Sequence, residues 1–284
     1  MIPVAFDYLR ASSVDEAVAA LAGAGEDAKI LAGGQSLLPV LRLRLSAPSL
    51  LVDLGGVPEL RGVREEGDSL VIGAMTTHDE VSTSPLVRQF APLLATMAAT
   101  IGDRQVRHRG TLGGSLSHAD PAADMPAAAA AVEARYVLAG PNGRRVVPAS
   151  DFAVDLFTTA LGDDEVLVEV QVPKLEGWGS HYEKFHRMVQ AWAIVGVAAM
   201  VRRDDGAIAS ARVTLTNMGP TALRATALEQ ALAGCAADRA AIEQACAVAA
   251  EGTSPRDDLT ASAEYRRHLV QVLAGRAVAA AAGV

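Results

Sequence analysis

Two glycine-rich stretches decide how this chain is organised, Ala32-Gly33-Gly34-Gln35-Ser36 and Thr111-Leu112-Gly113-Gly114-Ser115. Lys29–Leu31 predicts a short strand before the first stretch, and Ser36 is a candidate N-cap for a helix over Leu37–Leu45. Glycine permits positive φ and close approach of the backbone to a ligand, and consecutive amides can then converge on an anion. One Gly-Gly pair alone is typical of an ordinary tight turn. Two stretches with matching chemistry favour a pyrophosphate site.

The composition predicts more than one domain and argues against nucleic-acid binding. The chain has 284 residues, and single cores stop growing at roughly 250 residues. The formal net charge of −8 disfavours a phosphate-backbone binder, which needs a basic face. No apolar run reaches the roughly 18 residues of a membrane-spanning helix. No secretory pattern is visible at the N-terminus, so we expect a cytoplasmic protein without a membrane span.

The apolar periodicity predicts an α+β chain with a domain boundary near Pro173. Asn142-Gly143 between apolar runs predicts a hairpin. The segments before the boundary are predicted as helices from Ser12 or Ser13 to Leu21 and over Thr77–Thr83, Leu86–Ala99 and Ala122–Glu133, and strands over Ser49–Leu54, Ser69–Gly73, Tyr136–Leu138, Arg144–Val147 and Glu165–Val172. After it, strands are predicted over Tyr182–Met188, Ala193–Arg202 and Ile208–Asn217, followed by helices over Ala225–Ala233, Arg239–Glu251 and Ser262–Ala280.

Other nucleotide, metal and hydrolytic motifs find no support. No P-loop occurs, and Gly23–Ala28 fits a relaxed dinucleotide pattern only in the wrong order, after a helix and before a strand, which predicts a helix-ending turn. There is no Gly-x-Ser-x-Gly and no His-Glu-x-x-His. Cys235 and Cys246 are predicted to be small buried residues, and two cysteines cannot supply the four ligands of an iron–sulfur cluster.

Three polar residues follow the second glycine stretch, and two of them, His118 and Asp124, have two interpretations. His118 fits a base, but a histidine beside a cofactor or in a hydrogen-bonded turn is the favoured interpretation. Asp120 and Asp124 stand at the start of a predicted helix, where carboxylates are stabilised by the dipole. Asp124 can instead bind a polyol or a ring N–H. None of the three residues is assigned as a catalytic acid or base.

Together, these motifs resemble the flavin subunit of the xanthine dehydrogenase, or molybdenum hydroxylase, family. The two glycine stretches are followed by Ala119–Asp124 (ADPAAD), and Tyr182–Phe185 (YEKF) precedes the apolar run Ala193–Ala199, as in that family. The resemblance runs nearly from end to end. Length and motif positions are most similar to the medium subunits of the aerobic carbon monoxide dehydrogenases within it.

The resemblance implies a PCMH-type FAD-binding fold, with two α+β subdomains over residues 1–55 and 56–173 and a C-terminal α+β domain over residues 174–284. Trp192 falls where relatives often place an aromatic ring against the flavin, although Gln190-Ala191 before it departs from the usual pair. The residues implied in FAD binding are Leu31, Ala32, Gly33, Gly34, Gln35, Ser36, Ile101, Thr111, Leu112, Gly113, Gly114, Ser115, Asp124, Leu161, Lys184 and Trp192.

The resemblance also implies partners. A large subunit would carry the molybdopterin cofactor and a small one two [2Fe-2S] clusters, in a dimer of heterotrimers. Electrons would reach FAD on this chain and pass to an acceptor such as a quinone, with peripheral contact to a respiratory chain at the inner face of the membrane. The alternatives are a flavin subunit for purines, aldehydes or N-heterocycles, a free-standing FAD oxidoreductase, and an assembly subunit without FAD.

Overall fold

The N-terminal part of the chain forms a small parallel sheet. The structure, a computed structural model, describes residues 2–284. In chain order the elements are β1 (Asp7–Arg10), α1 (Val14–Ala24), β2 (Ala28–Leu31), α2 (Leu37–Arg42) and β3 (Leu50–Asp53), and the sheet order is β1-β3-β2. Ser13 caps α1 through the Glu16 amide, and Gly25 ends the helix with φ 63°. The helix-ending turn predicted for Gly23–Ala28 is therefore confirmed.

The middle part forms a five-stranded antiparallel sheet with helices. Its elements are β4 (Val63–Glu66), β5 (Ser69–Gly73), α3 (His78–Thr83), α4 (Pro85–Phe90), α5 (Pro92–Ala99), α6 (Arg104–Arg107), α7 (Leu112–His118), α8 (Asp124–Ala131), β6 (Arg135–Gly140), β7 (Gly143–Pro148), α9 (Ala149–Phe152), β8 (Ala153–Asp155), β9 (Thr158–Thr159) and β10 (Val166–Pro173). The sheet order is β4-β5-β10-β6-β7, and β8 pairs with β9 separately. Gly140 pairs with Gly143 across the β6–β7 turn, which confirms the predicted hairpin.

The C-terminal part has its strands first and its helices last, as predicted. The elements are β11 (Gly179–Phe185), β12 (Val195–Asp204), β13 (Ala207–Thr216), β14 (Leu223–Arg224), α10 (Thr226–Leu232), α11 (Arg239–Ala245) and α12 (Ala263–Ala282). The four strands form one antiparallel sheet in chain order. Helix α12 packs on β11 and β12.

Shared cores hold the three sheets together. Met75 and Val166 from the middle part pack into the core of the first sheet, beneath α1. Tyr182 and Met200 from the last sheet pack into the core of the middle part, which contains α5 and α8. The cleft described below is therefore bordered by elements that are packed against one another.

Several predicted elements have different bounds in the structure. The helix predicted over Leu86–Ala99 divides into α4 and α5, because Pro92 excludes the helical conformation at Ala91, which has φ −143°. Helix α2 ends at Arg42, and the Ser36 side chain makes no capping hydrogen bond. The second glycine stretch, for which no helix was predicted, begins helix α7. Strands β1 and β4 were not predicted, because both are short, mostly exposed and rich in polar residues.

One buried arginine ties the last helix to the last sheet. Arg266 on α12 is 1% exposed, and its guanidinium donates to the carbonyl of Ile194, to the Asp258 carboxylate at 2.5 Å and to the Thr260 hydroxyl at 3.0 Å. These bonds join α12 to the segment entering β12 and to the loop before the helix.

We predict that Arg266→Met lowers the free energy of unfolding by about 3 kcal/mol, because hydrogen bonds to a charged group contribute about 1.5–3 kcal/mol and the Ile194 carbonyl would lose its guanidinium donor. Urea denaturation followed by circular dichroism measures the change. Arg267→Met is the control, since Arg267 is exposed on the same helix and should change stability by less than about 0.5 kcal/mol. Equal stability of the two variants would contradict this role.

Candidate functional site

A cleft of about 830 Å³ brings most of the predicted site residues together. Of these residues, it is lined by Ala32, Gly33, Gly34, Gln35, Ser36, Ile101, Thr111, Gly113, Gly114, Ser115, Asp124, Leu161, Lys184 and Trp192. Leu31 and Leu112 do not line it. Leu112 is fully buried in the core of the middle part, and a Cβ added to Gly34 would lie 3.3 Å from a Leu31 methyl. Residues far apart in the sequence thus share one concave surface.

The first glycine stretch connects β2 to α2 and presents free amides. Gly34 has φ 74°, a conformation that favours glycine. Within residues 2–284, the amides of Gly33–Ser36 donate no hydrogen bond, to either backbone or side chain. Buried or partly buried amides without a partner are uncommon, and a run of them is suited to an anionic ligand.

The second glycine stretch is fixed to the middle sheet. The amides of Leu112 and Gly113 donate to the carbonyls of Thr76 and Ala74 at 2.9 and 2.8 Å. The Thr111 hydroxyl accepts from the Gly114 amide at 3.1 Å and caps α7. A side chain at Gly113 would overlap Ala74, so glycine is required there for packing.

The two glycine stretches touch each other. A Cβ at Gly33 would overlap the backbone of Arg109 and Gly110, immediately before the second stretch. A Cβ at Gly114 would lie 3.3 Å from the Cβ of Ala32. The stretches therefore form one continuous surface rather than two separate turns.

A buried ion pair forms another part of the cleft wall. Asp124 begins α8, and its Oδ2 accepts from the Lys184 ammonium at 2.7 Å while its Oδ1 accepts from the Tyr182 hydroxyl. The side chains of Lys184 and Asp124 are only 6% and 5% exposed. Burial raises the pKa of Asp124, and the adjacent Lys184 charge opposes that rise. Burial and the Asp124 charge raise the pKa of Tyr182 well above its ordinary value, so the phenol remains a donor.

His78 and Phe157, which sequence reasoning did not assign, also line the cleft. His78 is 4% exposed, its Nδ1 has no hydrogen-bond partner in the described residues, and burial lowers its pKa to about 4, so the ring is neutral. Phe157 has φ 54° and packs on His118 with ring centroids 5.2 Å apart. The only sequence signal at His78 was the preceding capping residue Thr77, and none pointed to Phe157. Trp192 is 54% exposed at the cleft.

Asp120 and the two cysteines, the remaining candidates, have contacts typical of structural residues. Asp120 accepts from the Ala122 amide at 2.8 Å, a turn-stabilising contact. Cys246 is buried, as predicted, with its pKa raised by burial to about 12, whereas Cys235 is partly exposed. Among residues 2–284, no cluster of histidine, cysteine and carboxylate side chains is suitable for a metal ion, and no helix is long and apolar enough to cross a membrane.

Known proteins resemble this chain over its whole length. Residues 4–175 match the FAD-binding domain of molybdopterin dehydrogenases, and residues 180–281 match the C-terminal domain of carbon monoxide dehydrogenase flavoproteins. The carbon monoxide dehydrogenase medium chain of Hydrogenophaga pseudoflava is 45% identical over 99% of this chain and 98% of its own. Subunit alpha of the 6-hydroxypseudooxynicotine dehydrogenase complex of Paenarthrobacter nicotinovorans is 39% identical over 99% and 96%.

A solved structure shows the same fold. Carbon monoxide dehydrogenase from Hydrogenophaga pseudoflava, in a form lacking the Mo-pyranopterin moiety of its cofactor, has a chain that superimposes with a TM-score of 0.96 at 47% identity, covering 99% of this chain and 98% of the other. The expected α+β fold and family are therefore confirmed. The chain belongs to the FAD-binding subunits of the molybdopterin dehydrogenase family.

Proposed function

We propose that this chain binds one FAD without a covalent link and is the electron-transfer subunit of a molybdenum hydroxylase complex, with aerobic carbon monoxide dehydrogenase as the first candidate. The observation that carries the proposal is the meeting of the two glycine stretches at one cleft, in a chain that matches carbon monoxide dehydrogenase medium chains from end to end. The division into residues 1–55, 56–173 and 174–284 remains part of the proposal.

The residues of the cleft fit FAD. The free amides of Gly33–Ser36 suit the pyrophosphate. The Thr111–Ser115 stretch, whose Leu112, Gly113 and Gly114 amides already donate within the protein, lines the cleft beside them and suits the adjacent ribityl chain. Ile101, Leu161 and Trp192 supply apolar and aromatic surface for a ring system. The charged side chains of Lys184 and Asp124 would contact the polar edge of the ring system. FAD would supply the redox chemistry, storing two electrons, while this chain binds, orients and electrostatically tunes it.

The complex would include a small subunit with [2Fe-2S] clusters and a large subunit with the molybdopterin cofactor, assembled as a dimer of heterotrimers. Its reaction would be CO + H2O to CO2 with two protons and two electrons. Those electrons would cross the clusters, reach FAD on this chain and leave to an acceptor such as a quinone. The support is that the matched relatives are medium chains or subunits of such dehydrogenases.

A second candidate is the flavin subunit of a dehydrogenase for an N-heterocycle, favoured by the similarity to the 6-hydroxypseudooxynicotine dehydrogenase subunit. Anaerobic addition of CO or of a nicotine derivative to the purified complex distinguishes the two. Bleaching of the flavin absorption by CO alone supports the first candidate. Robust turnover by the isolated chain would instead indicate a free-standing oxidoreductase.

We expect the purified chain to contain about one FAD that acid precipitation releases into the supernatant. Neither cysteine lines the cleft, and the family resemblance implies no flavin attachment at the two histidines that do, His78 and His118. Absorption spectra of the supernatant and pellet measure this. Yellow colour retained in the pellet would show a covalent link, and a colourless protein would indicate an assembly subunit without FAD.

Gly114→Val should raise the FAD dissociation constant at least tenfold, about 1.4 kcal/mol, because the added side chain would lie 2.7 Å from the Thr111 hydroxyl and occupy the cleft wall. Gly114 is the better site than Gly34, whose φ of 74° would also strain the backbone. Calorimetric titration measures the affinity, with near-ultraviolet circular dichroism as a check on folding. Gly23→Ala, which introduces a Cβ into open space outside the cleft, is the matched control. Unchanged affinity in folded Gly114→Val would favour the ordinary-turn interpretation.

Trp192→Ala should brighten the fluorescence of bound FAD and change its reoxidation rate by oxygen or a quinone, because an exposed indole at the cleft can stack on the flavin and cover one face. Electron arrival from the iron–sulfur partner should change little, and rapid mixing separates the two steps. Trp178→Phe is the control, since Trp178 stacks on Arg212 at 4.5 Å and does not line the cleft. Wild-type fluorescence and reoxidation in Trp192→Ala with FAD fully bound would show that Trp192 is only structural.

A further inference from the structure

Tyr182 is placed to act on the cleft through its neighbours. Tyr182 and Lys184 are two residues apart on β11, so both side chains project from the same face of the sheet. Asp124 at the start of α8 faces them, with one carboxylate oxygen on each. Tyr182 itself does not line the cleft, whereas Asp124 and Lys184 both do.

The neighbouring strand leaves room for this arrangement. Lys184 pairs with Gly196 on β12, and Tyr182 pairs with Ala198. A Cβ at Gly196 would overlap the Tyr182 hydroxyl. A glycine inside an otherwise apolar strand weakens packing and marks a close approach. Here the Tyr182 hydroxyl passes close to Gly196 and donates to Asp124.

The Tyr182 hydroxyl and the Lys184 ammonium contact different oxygen atoms of Asp124. Tyr182 donates to Oδ1 of Asp124, and Lys184 donates to Oδ2. The Lys184 ammonium makes one hydrogen bond within the described residues, and an ammonium has three N–H donors. Two donors and part of the positive charge therefore remain for a ligand in the cleft.

We propose that Tyr182 is a positioning residue that disperses the negative charge of Asp124 and so keeps the Lys184 charge directed at the flavin, raising the reduction potential of bound FAD. The inference rests on the proposed FAD function. Reduction adds negative charge to the flavin, and a nearby cation favours the more negative form. A carboxylate that accepts a hydrogen bond from a phenol offsets the positive charge of a neighbouring ammonium less than a carboxylate without that hydrogen bond.

Tyr182→Phe tests this inference because it removes one oxygen atom and keeps the ring. Without the phenol donor, the negative charge of Asp124 should offset the Lys184 charge more strongly and lower the potential of the two-electron couple. We expect a shift of about tenfold in the ratio of reduced to oxidised flavin at fixed potential, about 30 mV for two electrons. Asp124→Asn should shift the potential the opposite way, because it removes the negative charge and leaves Lys184.

Tyr136→Phe is the matched control. Tyr136 is 2% exposed in the same core, packs edge-on against Phe152 at 4.7 Å and is not a hydrogen-bond partner of either member of the ion pair in the described residues. Spectroelectrochemical titration of the full chain at complete FAD occupancy measures all four potentials, including that of the wild type. Tyr136→Phe should match the wild type.

The outcomes separate the inference from the function on which it rests. A lowered potential in Tyr182→Phe, with the wild-type value in Tyr136→Phe, supports the inference. An unchanged or raised potential in Tyr182→Phe, or the same shift in both phenylalanine variants, overturns it and leaves a packing role for Tyr182. A wild-type chain that binds no FAD overturns the proposed function, and the inference with it.

Discussion

The close approach of the two glycine stretches is the constraint on which the cleft depends. Gly33 lies directly against the backbone of Arg109 and Gly110, at a separation that leaves no space for a Cβ. Any larger residue would push the turn after β2 away from the second stretch. The free amides of the first stretch and the capped start of α7 would then face different directions. Only glycine at position 33 leaves room for this approach of the two backbones.

The buried ion pair between Lys184 and Asp124 determines the electrostatics of the cleft wall. Removing two charges from water is unfavourable, and the attraction between them offsets that cost only when the geometry is good and the remaining polar atoms are satisfied. Asp124 meets this condition through Lys184 and Tyr182, whereas Lys184 retains unused donors at the cleft. The position of Asp124 at the first turn of α8 adds the favourable end of a helix dipole. Because the Lys184 ammonium makes only one hydrogen bond within the described residues, this part of the cleft wall is suited to a ligand that gains negative charge.

The sequence predicted the glycine stretches, the Asn-Gly hairpin and the order of strands and helices after Pro173, because each depends on local chemistry or on apolar periodicity. Asp124 and Lys184 followed from family resemblance, and the structure brings them into contact. His78 and Phe157 could not be predicted, because they reach the cleft only through tertiary packing. His78 is a buried ring beside Gly110. Phe157 has a positive φ and lies at the tip of the short β8–β9 hairpin. Helix α7 was missed because two glycines within seven residues disfavour helix, and anchoring to Ala74 and Thr76 outweighs that preference.

The most direct test of the account is a crystal structure of the FAD-loaded chain, with attention to the contacts of the pyrophosphate. We predict that amides of Gly33–Ser36 donate to the pyrophosphate and that the Thr111–Ser115 stretch contacts the same pyrophosphate through the Ser115 hydroxyl, because the Leu112, Gly113 and Gly114 amides already donate within the protein. The isoalloxazine ring should lie beside Lys184. A pyrophosphate that contacts one stretch alone, or FAD bound outside this cleft, would contradict the claim that the two stretches form a single cofactor site.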